Sequence, residues 1–218
     1  MKIAVCSDLH LEFQDIELFN TEGASVLILS GDILIAEDLH QHKDIPPTVT
    51  SPYAPYQNLG ARQLAAMRFR DFLARCSKEF QHVVYVAGNH EFYHGKFHAA
   101  LNYLREECAY YKNVHFLENN SIDIGGVKFV GCTLWTDVNK NDPVTEFFLK
   151  DGMSDYRLIL EDSNGFRKLR PEDTRKRHLN SLHYISQAVN EAKPGQKIVL
   201  VTHHAMSEKS VPEEFKED

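Results

Sequence analysis

The chain opens with Lys2-Ile3-Ala4-Val5-Cys6-Ser7-Asp8-Leu9-His10, a short apolar run that hands over to an aspartate and a histidine two positions apart. Ile3 and Val5 alternate with small residues, which predicts a strand over residues 2–6. Read as extended chain, Asp8 and His10 point the same way and can hold one cation together. A triplet of this kind is a weak signal alone, because an aspartate after a strand is ordinarily a turn residue.

The arrangement recurs three times further along. An apolar run over residues 25–29 leads into Ser30-Gly31-Asp32, where glycine permits a tight turn and the two carboxylate oxygens of Asp32 can bridge a pair of metals. The run over residues 82–87 leads into Gly88-Asn89-His90-Glu91. Asn89 offers a neutral amide oxygen as a ligand, while His90 can face a substrate rather than a metal. The run over residues 197–202 ends on His203-His204, and a histidine leaving a strand end is a good imidazole ligand. Four strands each deliver Asp, His or Asn at the carboxyl end, where open α/β sheets place their ligand sites. Separately each is a turn; jointly they specify a site.

Further strands are predicted over residues 127–132, 114–117 and 121–124, with Gly125-Gly126 as a hairpin turn. Helical spacing covers residues 61–80, 97–111 and 171–192. In the last of these Leu179, Leu182, Ile185 and Val189 form a stripe expected to pack on a sheet. Residues 36–60 and 137–168 follow neither period and are expected to be long loops overhanging the site.

Composition narrows the class. The chain has 218 residues, 43% hydrophobic and 25% charged, which suits one folded domain spanning residues 1–218. With 24 Lys+Arg against 31 Asp+Glu the formal charge is −7, so nucleic acid is a poor partner for an electrostatically driven interface. Cys6, Cys76, Cys108 and Cys132 are too far apart for a CxxC pair and read as small buried hydrophobes. No leader is recognisable and no apolar run reaches the roughly 18 residues of a membrane span, so the expectation is a cytoplasmic chain with no membrane partner.

Asp8-Leu9-His10, Gly31-Asp32, Gly88-Asn89-His90-Glu91 and Thr202-His203-His204, in this order, resemble the calcineurin-like metallophosphoesterase superfamily. Thr133-Leu134-Trp135-Thr136-Asp137 and Asp155-Tyr156-Arg157 are similar to its bacterial and phage-type phosphohydrolase branch. The resemblance implies an α/β fold of four layers, αββα, with two mostly mixed sheets face to face. It implies two divalent ions (Mn²⁺, Fe or Zn²⁺) and hydrolysis of a small phosphate ester, a phosphomonoester or phosphodiester. Carried over, it assigns Asp8 and His10 to the first metal, Asp32 to the bridge, Asn89 and His203 to the second metal, and His90 to the phosphate. His204 is the alternative to His203. Tyr93, His94, Tyr53 and Tyr56 are candidates for contact with the organic part of a substrate.

The family closes its site with Gly-His-x-His, and nothing after His203 matches that motif. The chain is therefore expected to be truncated ahead of it, each metal lacking one imidazole. Two other readings follow: a regulatory or binding protein of the same fold with impaired catalysis, and a metal-dependent nuclease, against which the acidic charge argues.

Overall fold

A computed structural model describes residues 1–44, 59–163, 165–210 and 213. Tyr53 and Tyr56 lie outside the described residues.

Strands β1 (Ile3–Cys6), β2 (Val26–Ser30), β3 (His82–Val86) and β4 (Val114–Phe116) form one parallel sheet in the order β1-β2-β3-β4. Strands β5 (Asn120–Ile124), β6 (Val127–Cys132) and β9 (Lys197–Thr202) form a second sheet. There β5 and β6 make the expected antiparallel hairpin across Gly125-Gly126, while β6 and β9 run parallel. The first sheet is thus wholly parallel and only the second is mixed. The segments over residues 114–117 and 121–124 do not pair with each other, because the chain crosses from one sheet to the other between them.

Side-chain alternation in the first sheet explains the layering. Leu27, Leu29, Val83 and Tyr85 face helices α2 (Ala61–Glu79) and α3 (Phe97–Cys108), meeting Phe69, Phe72, Leu73, Cys76 and Leu104. Val26, Ile28, Val84 and Val86 face the other way and close on Ile124, Phe129 and Val201 of the second sheet. A strand buried on both faces reads as a continuous apolar run, as β2 and β3 do. Edge strand β1 is covered on one face only: Ala4 and Cys6 pack on the helix side, whereas Val5 is 63% exposed. Cys6 is accordingly half-buried, while Cys76, Cys108 and Cys132 are buried as expected.

Helix α7 (Pro171–Asn190) covers the second sheet and completes the four layers. Its buried face is not the predicted stripe. Thr174, Ser181 and Ala188, seven positions apart, are turned inward, and Leu179, Leu182 and Val189 are exposed. Thr174 on this face meets Tyr156, the two hydroxyl oxygens 3.1 Å apart.

The two expected loops also hold structure. Residues 36–60 begin with helix α1 (Ala36–Gln41). Residues 137–168 hold four elements in a row: α4 (Val138–Asn141), α5 (Pro143–Gly152), α6 (Asp155–Leu158) and a two-stranded ribbon, β7 (Leu160–Glu161) with β8 (Arg167–Lys168). The start of α5 carries a local signal that the loop expectation passed over: Asp142 caps it, accepting from Thr145 N–H at 2.7 Å, and Pro143 follows at the first helical position. α4 is a single left-handed turn with φ of 57°, 45°, 58° and 69°, a conformation that Asn139 and Asn141 tolerate but Val138 and Lys140 do not favour. Among the described residues no helix is long and apolar enough to cross a membrane.

Candidate metal centre

The carboxyl ends of β1, β2 and β3, neighbours in one parallel sheet, meet the end of β9 from the second sheet, where the Ser30 hydroxyl donates to Thr202 O and His203 Nδ1 donates to Ser30 O. Asp8, His10 and Asp32 are not extended: each has a left-handed backbone, with φ of 55°, 47° and 54°. The expectation that Asp8 and His10 project alike from extended chain is therefore corrected. The two turns run side by side instead, Asp8 N–H donating to Gly31 O at 3.0 Å and His10 N–H to Asp32 O at 3.1 Å. Left-handed residues other than glycine cost on the order of 1 kcal/mol each and gather where a site over-determines the backbone.

Two glycines make the convergence possible. A Cβ on Gly31, whose φ is +88°, would lie 2.6 Å from both the Gly88 nitrogen and His203 Nδ1. A Cβ on Gly88 would lie 2.1 Å from Asp32 Oδ1. Only hydrogen fits at either position.

Asp32 is the centre. His10, Asp32 and His90 offer ligand atoms within 4.8 Å of one another, and so do Asp8, Asp32 and His203. Its Oδ1 accepts the His90 backbone N–H at 2.9 Å. Around it each histidine is held by its Nδ1. His203 Nδ1 lies 2.9 Å from Ser30 O, an oxygen that can only accept, so Nδ1 carries the hydrogen and Nε2 presents its lone pair. That Nε2 is 3.2 Å from Asn89 Oδ1 and 3.5 Å from Asp32 Oδ1. His204 turns the other way, its Nδ1 on Thr133 O at 3.2 Å and its ring stacked on Trp135.

Asn89 points its amide oxygen at the cluster because its nitrogen is tied behind. Asn89 Nδ2 donates to Asp155 Oδ1 at 2.8 Å and to Tyr93 Oη at 3.2 Å, and Tyr93 O–H donates to Asp155 Oδ1 at 2.8 Å. Tyr93 is thus buried with its hydroxyl engaged, and its ring stacks on His90.

Two residues that sequence reasoning did not single out complete the surroundings: Glu12 and, in the role of tether, Asp155. Glu12 Oε1 lies 3.1 Å from His10 Nδ1 and 3.2 Å from His90 Nδ1. Burial works against its charge, yet the hydrogen bonds from His90 and His10 hold its carboxyl below the usual range. Burial likewise disfavours charging His90, but the Glu12 hydrogen bond and the charges of Asp32 and Glu12 raise its pKa overall. Glu91 is fully buried beneath Asp32, and burial together with the Asp32 charge pushes its carboxyl up.

Asp8, Glu12, Asp32, Glu91 and Asp155 thus crowd one site with imidazoles, backbone N–H groups, an amide and hydroxyls as partners, none of them a fixed cation. Carboxylates, three imidazoles held by Nδ1 and an aimed amide oxygen suit divalent ions of mixed nitrogen and oxygen preference. A third acid–histidine group, His98, Glu161 and Asp162, differs: Arg177 already pairs with Glu161.

A cavity of about 360 Å³ is walled by Phe13, Ile35, Tyr93 and Leu158, with Glu12, Asp38, Arg62, His90 and His94 among its polar members. Phe13 stands 74% exposed over it.

The sequence pattern of the calcineurin-like phosphoesterases matches residues 1–218. The chain belongs to this family. It is 28% identical over 143 residues to the uncharacterized protein L509 of Acanthamoeba polyphaga mimivirus, a match covering 62% of this chain and 49% of that protein. The chain thus spans about half the length of that curated relative. Among solved structures it is similar to the phosphopantetheinyl hydrolase PptH from Mycobacterium tuberculosis, with a TM-score of 0.58 and 17% identity. That likeness covers 94% of this chain and 68% of the other, and at this identity it speaks for the fold alone. Calcineurin-like phosphoesterases carry divalent metal, and the convergence on Asp32 is where this chain has donors for it.

Proposed function

We propose that this calcineurin-like phosphoesterase hydrolyses phosphate esters with two divalent ions, Asp8 and His10 holding one, Asn89 and His203 the other, and Asp32 bridging them. The observation that supports this reading is that Asp32 is shared by two donor groups: His10 and His90 stand with it in one, Asp8 and His203 in the other, so Asp8 lies nearer the His203 group than the proposed pairing with His10 alone would have it. Mn²⁺, Fe and Zn²⁺ all suit such a donor set.

Two divalent ions held here would supply Lewis-acid activation of water and of the phosphoryl oxygens. The chain's own residues do the rest. The two ligand carboxylates, Asp8 and Asp32, offset only part of the +4 of two divalent ions, so the ions themselves stay attractive to phosphate, while Glu12, Glu91 and Asp155 around them reduce the net charge of the site. His90, ligated by nothing in this scheme, faces the phosphate and in its protonated form donates to the leaving oxygen. The cavity beside it takes the organic part of the ester, Phe13 and Tyr93 offering aromatic surface and Arg62 a charge. The acidic charge of the chain speaks for a small ester, mono or di, over a nucleic-acid strand.

The test is a screen of metal-reconstituted protein against phosphomonoesters, phosphodiesters, cyclic nucleotides and DNA. Turnover of a small ester that vanishes on chelation and returns with Mn²⁺ is expected. Undiminished hydrolysis after EDTA treatment and dialysis overturns the reading.

A further inference from the structure

Glu12 touches both histidines that flank Asp32 on one side. Leu11 is fully buried, and its N–H donates to Ile33 O at 2.8 Å, so the backbone before Glu12 is pinned to the second turn. Phe13 N–H closes back on His10 O at 2.9 Å. Between these two anchors the Glu12 side chain has little freedom, and only 7% of it is exposed. One oxygen, Oε1, meets His10 Nδ1 at 3.1 Å and His90 Nδ1 at 3.2 Å. The other, Oε2, is buried with no partner among the described residues. The two rings stand edge to face with centroids 4.4 Å apart.

We propose that Glu12 is a positioning residue for both His10 and His90. An ionised carboxylate only accepts, so each ring must place its hydrogen on Nδ1. Each Nε2 is then left free of Glu12. His10 Nε2 lies 4.0 Å from Asp32 Oδ2. One carboxylate thereby sets the tautomer and rotation of an imidazole that holds metal and of an imidazole that meets phosphate, which keeps the two in fixed relation. The roles of the two rings rest on the function proposed above; the tautomer does not. Carboxylate partners of ligand histidines act this way, and their removal costs about 10–100-fold in metal affinity or activity.

The experiment has an arm that needs no turnover. Long-range nitrogen–proton correlation spectra of histidine-labelled, metal-free protein read which ring nitrogen is protonated. His10 and His90 are expected with the hydrogen on Nδ1, and Glu12→Leu is expected to release both to mixed tautomers. Glu12→Gln, whose amide oxygen still accepts, retains most of the wild-type pattern. Wild-type rings protonated on Nε2 alone overturn the proposal, and that spectrum decides the matter even if Glu12→Leu does not fold. In the second arm, calorimetric Mn²⁺ affinity falls about 10-fold or more in Glu12→Leu and recovers in Glu12→Gln. With saturating metal, kcat for a model ester drops while KM stays within about 2-fold, since a positioned acid acts in the transition state. Unchanged metal affinity and unchanged kcat in Glu12→Leu also overturn it. Absence of wild-type turnover beside an Nδ1 pattern defeats the proposed function and leaves the positioning role standing.

Discussion

Glu91 holds Asp32 from beneath: the fully buried Glu91 carboxylate accepts the backbone N–H of Asp32 at 3.0 Å, and with its remaining capacity those of Gly88 and Ile33 at 2.8 Å. Tyr85 O–H adds a fourth bond at 2.7 Å. One side chain from the third strand's exit therefore staples the second strand's exit to it. Because the bonds go to backbone, they set where the central carboxylate of the site can be, whatever ligand it holds.

A variant separates this support from the charge. Glu91→Gln keeps the volume but turns an amide toward donors, leaving at least one backbone N–H unpaired in the core. A loss of about 1–3 kcal/mol is expected, with Glu91→Ala losing more. Chemical denaturation of metal-free protein measures it. Wild-type stability in Glu91→Gln would show that the four bonds contribute nothing net.

Metal binding and chemistry should part company at Asp32 and His90. Asp32→Ala is expected to lose both ions, since the bridge serves each. His90→Ala should retain the ions while turnover falls roughly 10²–10⁴-fold, the scale of general acid loss. Elemental analysis beside turnover decides it. If His90→Ala strips the metal, His90 is a ligand and the assignment is wrong.

The exits of the strands were legible in the sequence because they are local: an apolar run followed by Gly-Asp, Gly-Asn-His or His-His needs no partner to be recognised. The hairpin at Gly125-Gly126 and the bounds of β6 and β9 were readable for the same reason. What escaped is what depends on distance along the chain. Asp155 reaches Asn89 across 66 positions, and Glu12 reaches His90 across 78. The inward face of α7 escaped because its buried residues, Thr174, Ser181 and Ala188, carry little hydrophobic signal, while Leu179, Leu182 and Val189, which carry it, are exposed. The left-handed turns at Asp8, His10 and Asp32 are set by the pairing of the two exits, at residue types that tolerate a positive φ better than most but do not announce it in the sequence.

Stability should respond to pH in opposite senses at two buried acids. Burial lifts Asp38 from an ordinary 3.8 to about 6, the nearby Arg62 only partly offsetting it. The folded state thus holds the proton more tightly, and this acid costs stability as pH rises from about 4 to 6 and constantly above. Glu161 is depressed from 4.5 to about 2: burial opposes its charge, but hydrogen bonds from Ser163 and the Arg177 guanidinium prevail. Its contribution is present above pH 4.5 and is lost as pH falls toward 2. Each is worth on the order of 2 kcal/mol. Melting curves should therefore show Asp38→Asn gaining at pH 7.5 and little at pH 4, and Glu161→Gln losing at pH 7.5 and little at pH 2.5. Parallel curves for variant and wild type across these ranges would remove the assigned shifts.

The Asp155 tether gives the last prediction. In the proposed site Asn89 would bind through a neutral amide oxygen, and an amide is symmetrical enough to flip, presenting –NH₂ where a metal needs a lone pair. Asp155 prevents this by accepting from Nδ2 at 2.8 Å, and Tyr93 helps from the same side. Asp155→Leu removes the acceptor while filling the space, so Asn89 is free to rotate away from His203. Affinity for the second ion should fall about 10-fold or more, in the range seen when partners of metal ligands are removed, with the first ion less affected. Tyr93→Phe, which leaves Asp155 in place, should cost several-fold less. Two-site calorimetric titration of wild type and both variants distinguishes the ions. Equal weakening of both would mean that Asp155 supports the fold around the site rather than one ligand, and no weakening would mean that Asn89 holds its orientation without it.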